Sequence, residues 1–196
     1  RIPEIPIYVD SPLATRATEI FRRHPECYDE EMKDHVARGN DPLGFSRATY
    51  ISDVKESKRL NRRKGPMVII SASGMCEAGR VLHHLKNTVT KRRNAVMIVG
   101  YQAEHTLGRR IAEGQREVRI FGKRYPRRAR VRVFDEFSSH ADRDELVEFA
   151  EGIGRAPRRL LLVHGSEEAS VSLARVLTGR GFPNVAVPLD GESVDF

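Results

Sequence analysis

Across 196 residues the sequence has no run of about 18 apolar residues, the length a helix needs to cross a membrane. A membrane-spanning helix is therefore not expected. The opening Arg1-Ile2-Pro3-Glu4 lacks the apolar stretch of a secretory signal. It also lacks a starting Met, so the expectation is a chain cut from something longer. Cysteine is scarce, with only Cys27 and Cys76, far apart. Two such residues exclude a CxxC…CxxC zinc site and do not make a disulfide scaffold. A reducing cytoplasm is the expected location, with both thiols buried as small hydrophobes. Short-period repeats and low-complexity segments are absent as well.

What is present is ordinary for a globular chain: 39% hydrophobic and 31% charged residues, enough for one or two domains with a core. The formal net charge of +7 favours polyanionic partners, nucleic acid first. The charge is clustered in Arg116, Arg119, Lys123, Arg124, Arg127, Arg128, Arg130 and Arg132. That cluster reads either as a solvated face of a surface hairpin or as a phosphate-backbone contact.

Strand and helix patterns alternate. Ile5 to Val9 reads as a short strand, after which Ser11 caps a helix and Pro12 suits its first turn. A second helix is expected from about Asp29 to Ala37, a strand at Ala48 to Ile51, and a helix capped by Ser52 or Asp53 with Val54, Ser57 and Leu60 facing inward. Met67 to Ile70 and Ala95 to Val99 read as strands covered on both faces, and so does Leu160 to Val163. Helices are expected near Gly79–Leu85, Thr106–Glu113, Asp142–Glu151 and Glu167–Leu177. Strands are expected at Val118–Phe121, near Arg130–Phe134 and at Val185–Val187. The class is α/β with mainly parallel pairing.

In such sheets ligands bind beyond the carboxyl ends of strands, and three segments place polar residues there. Ser71-Ala72-Ser73-Gly74-Met75 is a small-residue turn whose backbone N–H groups can approach an anion, with the Ser71 and Ser73 hydroxyls as extra donors. A tight turn without a ligand is the other reading. Phe137-Ser138-Ser139-His140-Ala141-Asp142 has serine and Asp142 at capping-box-like spacing, which sets His140 beside a helix amino terminus. Leu160 to Val163 followed by His164-Gly165 puts an imidazole at a strand end. Neutral imidazole is the commonest protein ligand for zinc, although a lone histidine is more often structural.

Taken together these segments resemble the beta-CASP metallo-β-lactamases, a group that includes the nucleases of messenger-RNA 3′ processing. The resemblance rests on Tyr8-Val9-Asp10-Ser11-Pro12-Leu13-Ala14, Ile70 to Met75 with Gly79-Arg80, and Val99-Gly100-Tyr101-Gln102-Ala103 with Thr106-Leu107-Gly108-Arg109. It is completed by Phe137 to Asp142 and by Val163-His164-Gly165. It implies a parallel-sheet beta-CASP domain over residues 1–124 and, over 125–196, the C-terminal segment of a metallo-β-lactamase αββα fold with an RNA-specificity role. It also implies a zinc-dependent ribonuclease that hydrolyses RNA phosphodiesters with two Zn2+ ions in the intact enzyme. His140 would be catalytic, protonating the leaving oxygen, and His164 a metal ligand. Ser71, Ser73, Gly74, Arg109, Ser138 and Ser139 would contact RNA or phosphate. RNA is the implied partner, a membrane is not, and a homodimer is open.

The family's HxHxDH metal motif is absent here, as are its later histidine and bridging aspartate. All precede the point at which this chain starts, so the segment alone is expected to be inactive. Ser139 stands where the family pattern has alanine, and His105 where it has a small residue such as glycine. Two other readings stay open: a non-catalytic RNA-binding module of a degenerate relative, and a DNA-directed nuclease of the same group. Endonuclease and 5′-exonuclease modes are not distinguished.

Overall fold

The computed structural model describes residues 4–41, 48–134, 140–153 and 157–194. The chain forms two compact units, residues 1–137 and 138–196.

In the first unit β1 (Ile7–Asp10), α1 (Pro12–Arg23), α2 (Glu30–Ala37), β2 (Ala48–Tyr50), α3 (Val54–Leu60) and β3 (Val68–Ser71) follow in order, with a single 3-10 turn at Pro25–Cys27. The strands make a parallel sheet of order β2-β1-β3, with Ile7 opposite both Ala48 and Val68 and Asp10 opposite Ser71. Local chemistry starts each helix. The Ser11 hydroxyl accepts from Ala14 N–H with Pro12 in the first turn, and Asp29 and Asp53 cap α2 and α3 in the same way.

Next come α4 (Arg80–Thr88), β4 (Ala95–Ile98), α5 (Leu107–Ala112), β5 (Glu117–Ile120), β6 (Lys123–Pro126) and β7 (Arg130–Val133). β4 pairs in parallel with β7, whereas β5 and β6 form an antiparallel hairpin. One core cluster here holds Cys76, Leu85, Val89, Leu107, Ile111, Val118 and Ile120. Another joins Tyr8, Ile51 and Leu60. In the second unit α6 (Arg143–Glu151), β8 (Leu160–Leu161), α7 (Glu167–Gly179) and β9 (Val185–Ala186) pack Val147, Ala150 and Leu177 together, and β8 pairs in parallel with β9. The α/β class with mainly parallel pairing is as expected.

Several details differ from the sequence reading. The basic segment contains a strand, Lys123–Pro126, that the sequence reading did not place. Val54 is 56% exposed. It is the first residue of its helix, ahead of the turn that brings Ser57 and Leu60 to the interior. Ile70, Met97 and Val163 are exposed rather than covered on both faces; among the described residues the sheets have only two or three strands, and Val163 lies beyond β8. Cys27 is exposed in the 3-10 turn, so only Cys76 is a buried thiol. The capping box of α6 lies one turn later than expected, between Asp142 and Glu145. Among the described residues no helix is long and apolar enough to cross a membrane.

The first unit is organised around a buried carboxylate. Asp10, at the end of the central strand, is fully buried. Its Oδ2 accepts from the Ser57 hydroxyl at 2.6 Å and stands 2.6 Å from His84 Nε2, and its Oδ1 accepts from Arg80 Nη1 at 2.5 Å. Burial on its own would push this carboxyl up. The hydrogen bonds from Ser57, Arg80 and His84 reverse that and hold it below the usual carboxylate range. A carboxyl depressed in the folded state stabilises the fold above its unfolded value, near pH 4, and the contribution is lost as pH falls through the folded value. Asp10→Asn removes the charge and leaves the guanidinium partly unmatched. We expect a loss of about 3 kcal/mol in chemical denaturation at neutral pH. The variant's stability should also vary less with pH in the acid range than the wild type's.

Candidate functional site

The carboxyl ends of the first three strands are where a ligand is expected, and a side chain of the protein itself takes part of that place. Arg80 opens α4, and besides Asp10 it donates to the carbonyls of Ile51 at 3.1 Å and Ser52 at 2.5 Å. One guanidinium therefore ties the end of β1 to the segment that leaves β2. His84, one turn along α4, has Nδ1 3.1 Å from the Asn61 amide oxygen. The segment Gly79-Arg80 was part of the family resemblance, but its partners lie 28 to 70 residues away. Spacing in the sequence carries no signal for such contacts.

Around this latch the small-residue turn is folded onto its own chain. The Ser71 hydroxyl donates to the Asp10 carbonyl at 3.0 Å. Ser73 Oγ donates to the Ala78 carbonyl and accepts from its N–H, both at 3.3 Å. Gly74 is exposed, and its carbonyl accepts from Gln102 Nε2 at 3.2 Å. The same amide donates to the carbonyls of Gly100 and Tyr101, both at 3.0 Å. Next along, the Met75 carbonyl accepts from Gly108 N–H at 3.0 Å, and the Glu77 carboxylate accepts from Leu107 N–H. Ser71, Ser73, Gly74 and the helix that bears Arg109 thus share one neighbourhood. Arg109 itself donates from Nε to Glu113 at 2.6 Å. That hydrogen bond holds its guanidinium above its ordinary range. Gln102 was not singled out as a site residue by the sequence reading, yet it joins the two loops.

His105 precedes this helix and is exposed, with φ of 65°, in the left-handed region. That backbone accounts for the small residue expected there.

In the second unit His140 is exposed, two residues before the capping residue Asp142. Ser138 and Ser139 lie outside the described residues. His164 follows β8 and is exposed, with φ of 69°. The space beside Gly165 is taken by the protein, since a Cβ there would stand 2.5 Å from Ser170 Oγ.

Zinc needs three or four ligands. Among the described residues no three His, Cys, Asp or Glu side chains are grouped to hold a metal ion. These residues alone do not fit a zinc centre, and His164 offers one ligand at most.

Two family models match in order: the Beta-Casp domain over residues 1–111, and the Zn-dependent metallo-hydrolase RNA specificity domain over residues 124–188. The chain belongs to the beta-CASP metallo-β-lactamase family. Ribonuclease TTHA0252 of Thermus thermophilus is 39% identical over 194 residues, covering 99% of this chain and 44% of its own length. The transcription termination factor FttA of Methanosarcina mazei is 32% identical, over 88% of this chain and 28% of its own length. An RNase J-like protein of Methanocaldococcus jannaschii is 33% identical, over 90% and 39% respectively. The chain therefore spans less than half the length of these curated relatives.

Two outcomes test this geometry. At Gly108 a Cβ would fall 1.7 Å from Gln102 Oε1 and 3.0 Å from the Met75 carbonyl. Gln102 is held by three carbonyls and cannot step aside without breaking those bonds. Gly108→Ala should therefore lower stability by about 1–3 kcal/mol in thermal or urea unfolding. Burial, with Glu77 beside it, pushes the Cys76 thiol up to about 11. In thiol labelling at pH 8 followed by peptide mapping, exposed Cys27 should react at least roughly a hundredfold faster than Cys76.

Proposed function

We propose that the protein containing this chain is a zinc-dependent ribonuclease, active in RNA processing or decay. The observation that carries the reading is the pair of family matches, one described as an RNA specificity domain of Zn-dependent metallo-hydrolases. The relative named a ribonuclease, matched over nearly all of this chain, supports it. The net charge of +7 suits a polyanionic substrate.

On this reading residues 1–124 are most of the beta-CASP domain, and residues 125–196 are the C-terminal segment of the metallo-β-lactamase domain. His164 supplies one ligand to the metal centre, the other ligands coming from outside this chain. Zinc held there in part by His164 would supply an acidified water and a polarised phosphoryl group. His140 holds a proton on its imidazole and delivers it to the leaving oxygen. Ser71, Ser73, Gly74, Arg109, Ser138 and Ser139 line the path of the RNA. The hydroxyls of Ser71 and Ser73 already serve the protein's own carbonyls, and the Ser73 N–H donates to the Ala78 carbonyl, so contact there falls to other N–H groups of the turn.

Cleavage of a labelled single-stranded RNA by the full-length protein tests the roles. His140→Ala should lower kcat by about 100-fold or more, with zinc content unchanged. His164→Ala should lower both activity and bound zinc, measured by elemental analysis. Full activity in both variants would refute the assignment. A wild-type protein that binds RNA without cutting it would favour the non-catalytic module, and preferential cutting of single-stranded DNA the DNA-directed reading.

A further inference from the structure

The tip of the β5–β6 hairpin carries a feature that folding alone does not ask for. Ile120 pairs with Lys123, so Phe121 and Gly122 form a two-residue turn. Both have positive φ, 50° and 74°, as a type I′ turn requires. Asn-Gly is the favoured sequence for such a turn, and a bulky aromatic in the left-handed region is unusual. Phe121 is nonetheless 51% exposed. Its ring lies against the exposed His83 on α4, centroids 4.8 Å apart and planes tilted by 45°.

Cationic residues flank Phe121 along the hairpin. Arg119 stands directly opposite Arg124 across the hairpin, and like charges in that position destabilise a strand pair. Arg124 is offset in part by Glu117 at 3.2 Å. Among the described residues the exposed Arg119 and Lys123 side chains have no hydrogen-bond or ion-pair partner. Lys86 is also exposed and sits one turn from His83 on the same helix surface. A shallow depression lined by Arg110, Gln115, Glu117, Val118, Arg119 and Arg124 adjoins the hairpin.

We infer that Phe121 and His83 form a base-stacking platform for single-stranded RNA, with Arg119, Lys123 and Lys86 holding the flanking phosphates. Exposed aromatic rings among unpaired cations are how single strands are gripped without sequence preference, since every base offers a flat face. Free cations on the same hairpin and on α4 fit the backbone, and the like-charge pair is relieved when phosphates arrive. The inference rests on the reading that the protein acts on RNA and adds a subsite to it.

The experiment compares a short labelled oligouridylate with an abasic oligomer of equal length. Both are titrated by anisotropy into the full-length protein, with chelator present to prevent cleavage. Phe121→Asn suits the turn better, so its melting temperature should equal or exceed that of the wild type. It should bind the oligouridylate about tenfold more weakly, and the abasic oligomer as the wild type does. Phe121→Trp should restore oligouridylate binding. Arg119→Gln with Lys123→Gln should weaken both oligomers and lower the salt slope by about 1.4. Wild-type affinity of Phe121→Asn for both oligomers would overturn the inference, and so would an equal loss on both. Neither result touches the ribonuclease reading, which falls if the wild-type protein does not cut RNA.

Discussion

A carboxylate removed from water must be matched or it will not stay charged, and in this chain the matching of Asp10 dictates much else. Its acceptors are filled by a hydroxyl from α3 and by a guanidinium and an imidazole from α4. Two helices are therefore fixed to the end of the central strand by one side chain. Arg80 then has donors left for the segment leaving β2, which sets that segment's distance from β1. The small-residue turn and the Gln102 latch are arranged about this anchor, and the start of α5 is placed by them.

The basic residues divide by the same logic of satisfied donors. Arg80 is consumed by the interior. Arg127 donates to the carbonyls of Gly114, Gln115 and Ala129 at 2.8 to 2.9 Å, closing the loop after α5 against β6. Arg109 is engaged with Glu113 on its own helix. A count of positive charge treats all of these alike, although only the arginines and lysines outside such bonds are available to a polyanion.

What could be read from the sequence was whatever depends on near neighbours. Ser11 with Pro12, Asp29 and Asp53 mark helix starts because each cap acts on an N–H two or three residues away. Ser57 and Leu60 follow from helical spacing, and the alternation of strand and helix gives the parallel class. The partners of Asp10 lie 47, 70 and 74 residues off, and no local pattern encodes them. The strand at Lys123–Pro126 was hidden for a different reason. Two cations and a proline give it little intrinsic strand character, and it forms because Val118 and Ile120 on its partner are buried in the core. In the candidate site, the small-residue turn was recognisable, but the inward use of its two hydroxyls was not. The roles proposed for His140 and His164 rest on their positions in the family pattern, which can be read where contacts cannot.

The parallel pairing of β4 with β7 bears on how such proteins can be divided or recombined. β7 lies within the stretch matched by the second family model, yet its ladder partner lies within the first. A cut near residue 124 would sever the β5–β6 hairpin and strip a strand from β4. The modular boundary drawn by homology and the one drawn by hydrogen bonding are offset by more than an element, so fragments or chimaeras joined near residue 137 keep every ladder of the first unit intact.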